Sequence, residues 1–294
     1  MQVAGNSESS AARVVCTLVL VAAWLWVVAI AGFWVFESTL VYGAHWSRDT
    51  HPGVAATPFE FVSLRSKDGV DLEAGVLWMD VDPADRYWIV FCSPSGGSFY
   101  TRRLARELER LHGFGYNIVA FNYRGFGRNQ GVPSEKGLYE DAMAAYRFVT
   151  LERGIPPSRV ILAGCSLGAA VAVEVAARVP TAGLLLVSPI DSVPLVAVRI
   201  CPWAPVHSLA SVKFDAISKV ERIAQPVVML RGSEDALMPT AAARAFFTRL
   251  QGPKLLLEIP RGHNLAAFTD ATGMREAMTK FWPAPAPPAA KGSD

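Results

Sequence analysis

The sequence predicts an α/β fold: a mostly parallel central sheet with helices on both faces, behind one N-terminal transmembrane helix. Three observations predict it. From Phe59 onward, apolar runs of strand length alternate with segments of helical spacing, the rhythm of a parallel sheet. Several of those runs are apolar almost throughout, as strands covered on both faces are. Upstream, no charged residue occurs from Val14 to Phe36, a stretch longer than the about 20 residues that span a bilayer core.

Composition bounds the function. The 294 residues are 51% hydrophobic, enough for one large domain with a sizeable core. A net charge of +2 without any basic or acidic block points away from nucleic acid as a partner. The four cysteines, Cys16, Cys92, Cys165 and Cys201, are scattered and form no CxxC pair. That argues against a disulfide framework and a zinc site, and it fits a reducing compartment.

The texture divides the chain into a polar tail (1–13), an anchor (14–36), an irregular connecting segment (37–58), a folded domain (59–282) and a Pro/Ala-rich tail (283–294). The first tail is small and polar and reads as disordered. In the anchor, Trp24, Trp26 and Trp34 add the amphipathic aromatic content found at membrane interfaces. A cleaved signal peptide is the rival reading, with Ala29 to Ala31 ("AIA") as its cleavage site. The run is long for a signal, however, and only Arg13 precedes it. A buried core helix is the third reading. Arg13 and Arg48 flank the run on either side, so charge sets no orientation.

In the domain, "FEFVSLRS" (Phe59 to Ser66) alternates apolar and polar, as a half-buried strand does. Asp68-Gly69 is a hairpin signal, and "VDLEAGVLWM" is the partner strand. "RYWIVFCS", "YNIVAFNY", "RVILAGC", "AGLLLVSP", "PVVMLRG" and "KLLLEIP" read as six further strands. Between them, Thr101 to Gly113 and Pro133 to Gly154 have helical spacing and end in glycine, and Ser134 is a cap. A small-residue helix follows "RVILAGC". The stretch from Asp191 to Ser218 is apolar, proline-broken and too long for a turn. It reads as a pair of short packing helices, which is compatible with a lid or pocket wall.

Chemistry concentrates at Gly164-Cys165-Ser166-Leu167-Gly168. This G-x-S-x-G sits between a strand and a helix, where ligands bind in open α/β sheets. In such a turn the serine adopts a strained backbone and its Oγ is pushed clear of the sheet. The flanking positions must be small, and Gly164, Gly168, Ala169 and Ala170 are. A serine needs a base and an orienting acid. Of five histidines, His263 directly follows the last strand. His45 and His51 lie ahead of the domain, His112 ends a helix and His207 lies in the lid-like stretch. Asp235, after "PVVMLRG", is the chosen acid, with Glu234 beside it and Asp191 after the previous strand as alternatives.

Together these pieces resemble the α/β-hydrolase superfamily, most closely its membrane-anchored serine hydrolases, the Bem46-type relatives of depalmitoylating thioesterases. The resemblance rests on "FNYRGFGRNQGVPSEKGLYEDA" (Phe121 to Ala142), "AGCSLGAA", "FDAISKVERIAQPVVMLRGSEDALMP" (Phe214 to Pro239) and "PRGHN", and runs from about Phe59 to Trp282. It implies an α/β-hydrolase fold with a short lid-like insertion after the sixth strand. It also implies Ser166 as nucleophile, Asp235 as acid and His263 as base. The family's His-Gly pair after its third strand is replaced here within "SPSGG", where Pro94 offers no N–H. The oxyanion donors implied are the N–H groups of Ser95 and Leu167.

The expected reaction is acyl transfer to water on an ester or thioester, with no metal or organic cofactor. The Pro194-to-Val212 stretch offers an apolar acyl pocket, and an anchor favours acyl lipids or acylated proteins as substrates. A small soluble ester and a peptide remain alternatives. So do a non-catalytic membrane-tethered binding protein and an exported soluble hydrolase beginning near Gly32.

Overall fold

The computed structural model describes residues 5–47, 59–79, 85–203, 205–263 and 271–284. Helix α1 runs unbroken over Gly5–Tyr42. Its Ala12–Gly32 stretch has mean hydropathy 2.7, is buried nowhere in the protein, and is long and apolar enough to cross a membrane.

Two expectations are corrected here. Residues 5–13 are helical rather than disordered, because extending a formed helix costs far less than nucleating one. The connecting segment begins as the helix's own last turns, with Glu37 and Tyr42 buried against the domain. A short 3₁₀ turn, Ala44–Ser47, follows. Residues 48–58, including His51, and most of the C-terminal tail lie outside the described residues.

Eight strands form one sheet: β1 (Glu60–Arg65), β2 (Asp71–Leu77), β3 (Trp88–Cys92), β4 (Asn117–Phe121), β5 (Val160–Cys165), β6 (Gly183–Val187), β7 (Val227–Gly232) and β8 (Lys254–Ile259). Their order is β1-β2-β4-β3-β5-β6-β7-β8. The two pairings of β2 are antiparallel and the rest are parallel. The β1–β2 turn closes at Asp68-Gly69, with the Ser66 N–H donating to the Val70 carbonyl (2.9 Å). Strands β3 to β7 are buried at every position. Coverage on both faces explains why they read as continuous apolar runs.

Helices cover both faces. On one, α3 (Glu135–Arg147) and α4 (Leu167–Ala176) join a core that takes in Tyr42 of α1 and Phe246 of α7 (Thr240–Arg249). On the other, α2 (Arg102–Gly113) and α8 (Ala271–Phe281) build a second core with Leu108, Met274 and Met278. The Asp191-to-Ser218 stretch contains two short helices, α5 (Val193–Ile200) and α6 (Val206–Leu209). The YRG and EDA segments meet at one buried cluster. Arg124 donates to Asp141 (2.7 Å) and Asp68 (2.6 Å) there, which holds the Asp68 carboxyl well below its ordinary range.

Candidate active site

Strand order reverses beside β3: the chain passes from β3 to β4 on one side and returns to β5 on the other. A crevice therefore opens outside the carboxyl ends of β3 and β5. Cys92 pairs with Gly164 at that end. The loop after β3 carries Ser95, and the turn after β5 carries Ser166.

Ser166 has φ 53° and ψ −116°, a conformation that costs about 1–3 kcal/mol for a residue with a side chain. Its neighbours fix it there. The Ser166 N–H donates to the Val187 carbonyl (2.9 Å), and the Ala169 N–H donates to the Ser166 carbonyl (3.1 Å). The flanking glycines are required by contact. A Cβ on Gly164 would sit 2.2 Å from the Gly168 carbonyl oxygen, and one on Gly168 would sit 2.1 Å from the Cys92 oxygen. Helix α4 can thus press against β3, with its N-terminal N–H groups and partial positive charge at the serine.

The Ser166 hydroxyl lies 2.8 Å from Nε2 of His263, and Nδ1 of His263 lies 2.8 Å from Oδ2 of Asp235. The other Asp235 oxygen accepts from the N–H groups of Leu237 (3.0 Å) and Met238 (2.9 Å). With its side chain fully buried and its acceptors occupied, the carboxylate holds the imidazole proton on Nδ1. Nε2 is left to accept from the serine. Backbone bonds bind the two loops together: the N–H groups of Ser233 and Glu234 donate to the carbonyls of Ile259 (2.8 Å) and Arg261 (3.0 Å).

The remaining candidates lie elsewhere. Glu234 is exposed. Asp191 is buried but paired with Arg199 (3.1 Å). His45 and His207 are exposed, and His112 bonds the Tyr116 carbonyl (3.0 Å). Cys165, beside the serine, is buried, and that burial pushes its thiol up to about 12. It stays a neutral packing group.

Ser166, His263, Ser95 and Leu167 all border one cavity of about 820 Å³, within the range of small-molecule sites. Ile190, Val193, Val196 and Ile200 supply apolar wall from the lid side. Sequence reasoning missed the opposite wall, formed by Glu37, Leu40 and Val41 of α1. The helix also holds the loop after β3. The Ser95 hydroxyl donates to the Val41 carbonyl (2.7 Å), and the Gly96 N–H donates to the Tyr42 carbonyl (2.7 Å). Glu37 is the first charge after the apolar run, the one signal that marked this end of the helix as more than an anchor.

The model of the alpha/beta hydrolase family matches residues 89–290. The chain belongs to the alpha/beta hydrolase family. This alpha/beta hydrolase is 33% identical over 195 residues to an uncharacterized protein of Mycobacterium tuberculosis, covering 66% of this chain and 68% of that one. It is 34% identical over 149 residues to human alpha/beta hydrolase domain-containing protein 17B, half of each chain. A Pyrococcus furiosus esterase superposes with a TM-score of 0.65 at 16% identity, over 77% of this hydrolase and 90% of the esterase. That likeness shows the shared fold.

Proposed function

We propose that this protein is a membrane-anchored serine hydrolase that cleaves an ester or thioester acyl bond. The observation that carries the reading is the unbroken hydrogen-bonded chain from the Ser166 hydroxyl through His263 to buried Asp235, set at an apolar cavity. His263 takes the serine proton as Oγ attacks the acyl carbon, and Asp235 stabilises the imidazolium that forms. The N–H groups of Ser95 and Leu167 receive the oxyanion, and each such donor is worth on the order of 100-fold in rate. His263 then protonates the leaving alkoxide or thiolate. Water, deprotonated by His263, releases the acid and restores the serine. The apolar cavity favours an acyl chain over a peptide. The anchor reading is supported by α1, which continues past Ala29 to Ala31 into turns that the domain itself packs around.

Labelling with a fluorophosphonate probe tests the reaction class. The full chain is expected to label at Ser166, and Ser166→Ala is expected to abolish labelling without loss of fold. A folded wild-type chain that does not label is a hydrolase-like binding protein instead. An intact mass beginning near Gly32 would replace the anchor with a cleaved signal.

A further inference from the structure

We propose that the lid, α5 and α6, rests in the membrane interface, so that the cavity opens onto lipid and takes acyl chains held in the leaflet where α1 ends. This rests on the anchored acyl-hydrolase reading above. The apolar run of α1 ends at Phe36, just before Glu37. Within it, Ala29 and Ile30 border a small crevice together with Cys201, Trp203, Val206 and Leu209 of the lid. The lid tip is therefore level with the last turns of the span, not beyond them. A helix that crosses a bilayer fixes the depth of whatever packs on those turns.

Two large apolar side chains of the lid are uncovered near that depth. Trp203 is 63% exposed and Ile200 61%. A tryptophan suits this depth, because its ring is apolar while its N–H seeks a polar partner. The same surface continues to the cavity. Ile200 and Leu40, the latter 60% exposed, both border the cavity that holds Ser166. Leu40 lies only about 15 Å along the helix from Ile30. Glu37 is the one Asp, Glu, Lys or Arg on α1 after Arg13, and its carboxylate is turned inward onto Ser211 and Val212. The cavity mouth on the α1 side is thus edged by Leu40 and Ile200, and it suits a chain that leaves the leaflet without crossing water.

The test uses the full chain in phosphatidylcholine vesicles. A fluorophore is placed at position 203 through Trp203→Cys, with Cys16→Ser and Cys201→Ser removing the accessible native thiols. A control label enters through Leu151→Cys, at the amino ends of the strands. The label at 203 is expected to be quenched by nitroxide lipids and shielded from aqueous iodide, and the label at 151 to behave the opposite way. In a second arm, Trp203→Glu is expected to keep hydrolysis of soluble 4-nitrophenyl butyrate, since Trp203 does not border the reaction cavity. It should lose about tenfold on 4-nitrophenyl palmitate in vesicles. A vesicle-bound chain whose 203 label is as open to iodide as the 151 label overturns the lid proposal alone. A chain that does not sediment with vesicles overturns the anchor with it. Absence of fluorophosphonate labelling overturns the hydrolase reading, while the two labels still report the lid's depth.

Discussion

Glu37 accepts hydrogen bonds from the backbone N–H groups of Ser211 (2.9 Å) and Val212 (3.2 Å), although 174 residues separate it from Ser211. The carboxylate is buried and also receives the Ser211 hydroxyl. It joins the end of α1 to the return of the lid. Glu37→Ala would leave those N–H groups unpaired, a cost of about 2 kcal/mol. The expected result is a melting temperature lower by about 4–8 °C. For a long-chain ester, KM should rise more than kcat falls, because the lid wall loosens while the serine and its partners stay in place. Thermal denaturation in detergent and steady-state kinetics check both.

Asp235→Asn keeps the side chain's shape but removes the charge opposite His263 and disturbs the tautomer that the carboxylate fixes. A fall in kcat of about 10⁴-fold is expected, with little change in melting temperature. A variant that keeps a tenth or more of wild-type kcat would remove Asp235 from the proposed mechanism.

Gly168→Ala places a methyl group 2.1 Å from the Cys92 carbonyl oxygen and 2.5 Å from that of Ser93. Neither backbone atom can swing aside, so α4 must lift from β3 and carry Ser166 with it. Destabilisation of about 1–3 kcal/mol is expected, together with loss of fluorophosphonate labelling. Calorimetry beside gel-based labelling measures the two effects separately.

Glu174 on α4 forms ion pairs with Lys219 (2.5 Å) and Arg178. Burial works to raise its carboxyl, but hydrogen bonds and charge from Lys219 and Arg178 outweigh burial and hold it below the ordinary value. The folded protein therefore binds fewer protons here than the unfolded chain. The stabilisation is complete above the unfolded glutamate value, about 4.3, and is lost as pH falls through the folded value. Glu174→Gln is expected to lower the melting temperature at neutral pH. It should also flatten its decline between about pH 5 and about pH 3, measured by thermal scans across that range.

The eight strands and the candidate chemistry were legible in the residues alone. Buried parallel strands must be apolar throughout, so β3 to β7 each printed a continuous run, while β1 showed by its alternation and β2 by the hairpin signal between them. Ser166, Asp235 and His263 each follow a strand, so their places at the strand ends were legible. Helix α7 was not, although Ala243, Phe246, Phe247 and Leu250 stand at helical spacing, because it is only ten residues long and no side chain caps its start. The length of α1 was also hidden, since polar residues can extend a helix without the apolar pattern that reveals one. That the helix's last turns wall the cavity, hold Ser95 and clamp the lid emerges from the folded chain. Those joints connect segments 54 and 174 residues apart, each pairing one side chain, the Ser95 hydroxyl or the Glu37 carboxylate, with a backbone group. Every residue but proline carries both a backbone carbonyl and an N–H, so a polar side chain announces that it will find a partner and not which one.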